Sequence, residues 1–282
     1  MKVVDADSIR WRVVTAHRSG SDEVSDDYIK FKHLLQGDDA QANNYELALA
    51  QVVGSPPVPR HRHNFEQFRY ALSGMYSYAP GYRIEQGLLG YFPEGGWYGP
   101  ECAENNPVLL TLQFGGASGC GFMSVDQQQA ASYRLQQRGV FDKGTYRGPD
   151  YRGQDVEQDG FEAVWEEAFK RPMSYPEPRY PAPVLMHPRN FQWRPYEPGV
   201  ERKVLGLFSE GGAGASMLRL QAQAVLKRPP DQLTVMYVLS GELEAGGKAV
   251  RANSAIELQP REKSALTARA ETDILVFSLP DV

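Results

Sequence analysis

The chain has 282 residues, 41% hydrophobic and 23% charged, with 30 basic against 35 acidic side chains, a net charge of −5 and a pI near 5.6. That length fills one large or two ordinary domains, and the absence of a Lys/Arg stripe argues against a nucleic-acid partner. No apolar run reaches the length of a membrane span, and the opening MKVVDADSIRWR has charges but no apolar core, so neither a membrane anchor nor a secretory signal is expected.

Residues 1–44 read as an N-terminal arm: a strand from Trp11 to Thr15, a charged loop and a short amphipathic piece. Residues 45–118 follow as short strands split by Gly and Pro, among them YELALAQVV, FRYALSG, MYSYAPG, GLLGYFPEGG and VLLTLQFGG. Closely spaced turn signals between such strands predict an all-β sandwich or barrel. Residues 119–180 change character. SVDQQQAASYRLQQRG is a predicted helix capped by Ser124 and stopped at Gly139. DGFEAVWEEAFKRP is a second, with Phe161, Val164, Trp165, Ala168 and Phe169 on one face, a solvated acidic face opposite, and Pro172 at its end. The proline-rich run MSYPEPRYPAPVLMHP reads as an extended strap docking one β unit to the other. Residues 181–282 return to short strands. TVMYVLSGELEAGG echoes QFRYALSGMYSYAPG with LSG in register, a two-copy internal repeat.

Cys102 and Cys120 cannot form a disulfide framework and no CxxC pair exists, so two free thiols in a cytoplasmic protein are expected. A catalytic Cys102 is the alternative.

The chemistry concentrates at His61-Arg62-His63. Two histidines one residue apart on a strand project from the same face and can grip one metal ion. The other histidines, His17, His33 and His187, lie elsewhere. Gln67 offers a third ligand if its amide oxygen turns to the same point, and the neighbouring Glu66 would point to the opposite face of a regular strand. Either of the two is a third ligand by spacing. Arg62 should point away from the pocket.

These residues resemble the cupin superfamily, and the whole chain resembles a bicupin. Gly54, His61, His63, Gln67 and Gly74 follow the order of the first cupin motif. Gly87, Pro93, Gly95 and Tyr98, within GLLGYFPEGGWYGPE, follow the second. The sequence departs from the pattern in having Gln67 for the usual glutamate and Tyr98 for the last histidine. In the second copy, counting back from Gly241 places Arg228 and Pro230 at the histidine positions and Thr234 at the carboxylate position, and Ala265 falls at the last. That copy cannot hold a metal there; it is structural or binds something without one. The implied fold is two tandem cupin jelly rolls with a short helical linker.

The resemblance implies a divalent transition metal on His61, His63 and Gln67, iron first, with Mn, Ni, Cu, Co and Zn as alternatives. Tyr98 is a phenolate ligand, a general base or a core aromatic with a satisfied hydroxyl. Arg69 shares the face of Gln67, and a buried guanidinium needs an anion: a substrate carboxylate, or Glu85, Glu94 or Glu101. Glu94 is expected at the rim. Aromatics on the ligand face, with Trp97 at the turn, could line a pocket for a planar substrate. The leading expectation is a cytoplasmic metal-dependent enzyme, dioxygenase-like, acting on a small organic acid, with a lyase or isomerase next. The alternative is a small-molecule-binding or sensor protein without turnover. An interior packed shut by Gln67, Tyr98 and Arg69 would argue against the enzyme. The family also allows a homodimer.

Overall fold

The computed structural model describes residues 1–14, 27–41, 44–56, 58–142 and 144–280. Thr15, the end of the first predicted strand, and His17 lie outside the described residues. The described chain is mainly β, arranged as two barrels with a small helical module between them.

The first barrel is built on an eight-stranded sheet. Its centre is the long strand Glu66–Ala79, flanked by Leu89–Phe92 and Cys102–Phe114, with Tyr45–Val53 and Tyr28–Gln36 beyond. FRYALSG and MYSYAPG are therefore one strand rather than two. Gly74 lets it bend without ending: its φ is +71° and a β-carbon there would meet the Pro107 backbone at 2.7 Å. The second barrel pairs a seven-stranded sheet, including Val200–Leu207, Gly214–Leu220, Thr234–Ser240 and Thr272–Ser278, with a four-stranded one. Its matching glycine, Gly241, also has positive φ (+86°).

The barrels exchange edge strands. Lys2–Asp5 pairs with Ser254–Leu258 of the second barrel, and Val184–Met186 pairs with Leu89–Phe92 of the first. The boundaries expected at 44 and 181 are crossed in both directions. Both pieces are too short to announce a partner, and pairing satisfies edges that would otherwise be bare. Alternation along Glu66–Ala79 then divides the labour. Phe68 turns to the seam between barrels and packs on Phe114, Phe208 and Phe277 at ring distances of 5.1–5.7 Å. Gln67 and Arg69 turn into the first barrel.

The helices stand at Val125–Gln136 and Gly160–Phe169. Ser124 and Gln127 form a reciprocal capping box on the first. That helix ends before Gly139, and the second ends at Lys170 in left-handed conformation, before Pro172. Between them runs a three-stranded sheet, Val140–Asp142, Thr145–Pro149 and Asp155–Asp159, which the polar, glycine-broken sequence did not announce. Trp165, Val164 and Ala163 pack with Leu135 and Tyr146. The acidic face of the second helix is not wholly solvated: Glu167 is fully buried and gathers Arg134, Arg138 and Lys170.

The strap runs from the second helix to Val184, and its last part, Val184–Met186, is the exchanged strand. It docks on the turn after Phe92. A β-carbon on Gly95 would lie 1.9 Å from the Pro176 carbonyl oxygen, and Gly95 has φ +74°. Arg179 of the strap reaches Glu94 of the first barrel and Glu210 of the second. Glu94 is buried there, also bound by Ser118, and is not at the rim. No helix among the described residues is long and apolar enough to cross a membrane.

Candidate metal centre in the first barrel

His61 and His63 lie on the approach to Glu66–Ala79, not on the strand itself. An isolated bridge holds them: His61 N donates to Tyr98 O at 2.9 Å and Tyr98 N to His61 O at 3.0 Å. The i, i+2 spacing still brings the imidazoles together, with ring centres 5.0 Å apart and edge to face. His61 Nδ1 lies 2.8 Å from Pro59 O. A carbonyl oxygen can only accept, so Nδ1 carries a proton, and in the neutral ring Nε2 is the atom with the lone pair. His63 stacks on Phe65 at 4.5 Å and meets Phe161 of the second helix at 5.5 Å. Its Nδ1 is buried without a hydrogen-bond partner among the described residues. Burial, with smaller contributions from His61 and Arg69, holds its pKa well below the usual histidine value, so the ring is neutral.

Below the histidines the barrel interior is filled. Gln67 Oε1 accepts from Gln113 Nε2 at 3.1 Å and from Arg69 Nε and Nη2 at 3.3 and 3.2 Å. Gln67 Nε2 donates to Tyr98 Oη at 2.8 Å, and Arg69 Nη2 reaches the same oxygen at 3.2 Å. Arg69 Nη1 donates to Glu101 Oε1 at 2.5 Å, while Tyr76 donates to Glu101 Oε2 at 2.7 Å. The guanidinium also lies over the Phe92 ring at 4.5 Å.

This network bears on three expectations. Gln67 in this arrangement has no lone pair to spare for a metal. Arg69 has its anion, Glu101, one of the protein carboxylates named for it, and presents no free bidentate edge to a substrate. Tyr98 is a phenol: burial raises its pKa above the usual tyrosine value despite Arg69 and Gln67, so it is no base at neutral pH. Its ring packs 4.4 Å from that of His61. Glu66 faces the other way, 3.7 Å from Arg179. Arg62 turns outward and stacks on Tyr175 at 3.9 Å and Trp97 at 4.9 Å. Cys102 is exposed and free, and Cys120 is free.

The residues fit a metal in part. Two adjacent imidazoles, one oriented through its far nitrogen by a backbone carbonyl, are a donor set for a divalent transition ion. Gln67 as it stands is not a third donor. No group of three or more His, Cys, Asp or Glu side chains among the described residues could hold a metal. Gln113 and Phe161 were not visible in the sequence, because only the pairing of Gln67 with Gln113 across two strands and the folding of the linker over the mouth bring them here.

No family model and no curated protein sequence matches the chain. Solved structures do. A candidate dioxygenase from Nostoc punctiforme matches with a TM-score of 0.63 at 10% identity, over 100% of this chain and 83% of that one. A candidate glyoxylate-induced protein from Pseudomonas aeruginosa matches with 0.55 at 11% identity, over 92% and 83%. Oxalate decarboxylase from Bacillus subtilis matches with 0.54 at 11% identity, over 98% and 75%. At such identities the likeness is one of fold: all-β, with two jelly-roll barrels in tandem.

Proposed function

We propose that the first barrel is a metal-binding cupin centre in which His61 and His63 hold a divalent transition ion, iron first, and that the chain is a metal-dependent enzyme of dioxygenase type acting on a small organic molecule. The observation that carries this reading is the His61 tautomer. Its Nδ1–H is committed to Pro59 O, which leaves Nε2 as the nitrogen available to an ion, beside the neutral imidazole of His63. Solved structures of the same fold that are described as a dioxygenase candidate and an oxalate decarboxylase support it. A bound ion would supply Lewis-acid or redox chemistry at positions that the two imidazoles leave open. The protein's own part is to orient the rings, to shield them with Phe65 and Phe161, and to fill the floor beneath them.

That floor alters the substrate expected. With Arg69 neutralised by Glu101, a carboxylate on the substrate has no anchor below the histidines, so the small molecule need not be an acid. The two free thiols suit a cytoplasmic protein, and a homodimer is compatible with the fold.

A second reading, a binding or sensor protein without turnover, is favoured by the same floor: Gln67, Arg69 and Tyr98 close on one another where a reaction chamber would lie open. Metal analysis of untagged protein, followed by oxygen-consumption assays, separates the two. The proposed function expects near-stoichiometric metal that is lost in His61→Ala/His63→Ala. A metal-free protein, even after reconstitution with Fe(II), Mn(II), Ni(II), Cu(II), Co(II) and Zn(II), sinks it and leaves the binding reading. Metal without oxygen consumption moves the search to lyase and isomerase assays.

A further inference from the structure

We propose that the second barrel binds a small amphipathic organic anion, by a guanidinium-rimmed apolar pocket and without a metal. The two copies of the repeat have used their interiors in opposite ways. The positions that align with His61, His63 and Gln67 are Arg228, Pro230 and Thr234. All three line one cavity of about 450 Å³. Met236, which aligns with Arg69, lines it too. Where the first barrel carries a Gln–Arg–Tyr–Glu network, the second has open space within the size range of small-molecule sites.

The cavity lies on the inner face of the jelly roll. Strand alternation sends Met217, Val235 and Phe277 to the seam between barrels, and sends Ser216, Leu218, Met236 and Val276 to the cavity. Leu218, Met236 and, from the opposing sheet, Leu226 make an apolar floor. The rim is cationic. Arg202 and Arg228 both stack on Tyr196, with their guanidinium carbons 5.3 and 4.7 Å from its ring centre. Arg202 has no ion pair among the described residues. Arg228 reaches Glu197 only at 3.9 Å, beyond hydrogen-bond distance. Asp231 is the one acidic side chain in the lining, against Arg202 and Arg228, and Glu197 stands behind Arg228. Val204 and Leu207, 60% and 69% exposed, continue the apolar surface outward. One guanidinium without an ion pair and a second held only loosely by Glu197, both over one aromatic ring and above an apolar floor, match a carboxylate or sulfonate carried on a hydrophobic body.

Calorimetric titration of the full chain with 2-naphthoate, 2-naphthamide and acetate tests this. The acid is expected to bind at least ~10-fold more tightly than the uncharged amide or the bodiless anion. Arg202→Met and Arg228→Met are each expected to weaken naphthoate by ~10-fold or more while leaving the amide unchanged. His61→Ala/His63→Ala should leave naphthoate binding as it is, which keeps this site separate from the metal centre. Equal affinity for acid and amide, binding indifferent to both arginines, loss of binding in the histidine variant, or no naphthoate binding up to ~10 mM would each overturn the proposal.

Discussion

Arg69 and Glu101 are paired inside the first barrel, Nη1 to Oε1 at 2.5 Å, with both side chains buried. The pair decides what the barrel floor can do. Arg69 holds Gln67 and Tyr98 by the same guanidinium, so the amide oxygen, the phenol and the cation are all committed to one another. Removing one partner leaves a charge without water or counter-charge. Glu101→Ala is therefore expected to destabilise the fold by ~3–5 kcal/mol, whereas Arg69→Met/Glu101→Leu, which removes both charges at similar volume, should cost far less. Urea denaturation of the three proteins checks this, and equal losses in the single and double variants would mean that the pair is not the determinant.

The strap is held by close approach as much as by charge. At Gly95 a side chain would face both a positive φ and the Pro176 carbonyl. Gly95→Ala is expected to cost more than ~1 kcal/mol and to expose the strap to trypsin after Lys170 and Arg179. Gly81 separates the two causes, because it has φ +81° but nothing within 4 Å of its would-be β-carbon. Gly81→Ala should carry the backbone strain alone and leave the strap protected; equal proteolysis in both variants would contradict the docking role.

These cases show where the sequence was readable. The HxH spacing, the glycines and the strand alternation place His61, His63, Gln67 and Arg69 near one another, because period-2 geometry is local. What closes the floor is not local. Glu101 and Gln113 come from the neighbouring strand Cys102–Phe114 and the residue just before it, and strand register is set by whole-barrel packing. Glu94, placed at the rim from its turn sequence, is buried because Arg179, 85 residues on in the chain, returns to pair with it. The exchanged strands Lys2–Asp5 and Val184–Met186 escaped for the same reason: nothing in four or three residues names a distant partner.

Glu167 gives one clear pH signature. Three cations hold its carboxyl at about 2 despite burial. A carboxyl depressed in the fold contributes stability above the ordinary glutamate pKa and loses it as pH falls through the folded value. Glu167→Gln should therefore be less stable than the parent at pH 7, and the gap should narrow below pH 4. A gap that stays constant from pH 7 to pH 3 in chemical denaturation would show that the loss is one of packing rather than charge.

Glu66 has the opposite sign. Burial first, and then the carboxylate of Glu94, raise its pKa to about 7, against the nearby Arg179. Tyr91 and the Ala117 backbone stand beside the carboxyl and, with Arg179, favour its charged form less strongly than burial and Glu94 oppose it. A carboxyl raised in the fold contributes stability fully below its ordinary pKa, and that contribution is lost as pH rises from there through about 7. Glu66→Gln keeps the shape and cannot ionise. It is expected to match the parent near pH 5 and to be the more stable protein at pH 8, the reverse of Glu167→Gln. Because Glu66 sits where the first barrel, the strap and the second barrel meet through Arg179 and Glu210, its ionisation should strengthen the attraction to Arg179 while adding repulsion from Glu94. If repulsion and burial dominate, as the raised pKa implies, trypsin sensitivity of the strap should increase from pH 6 to pH 8 in the parent and stay flat in Glu66→Gln. A flat profile in both would remove Glu66 from the control of that junction.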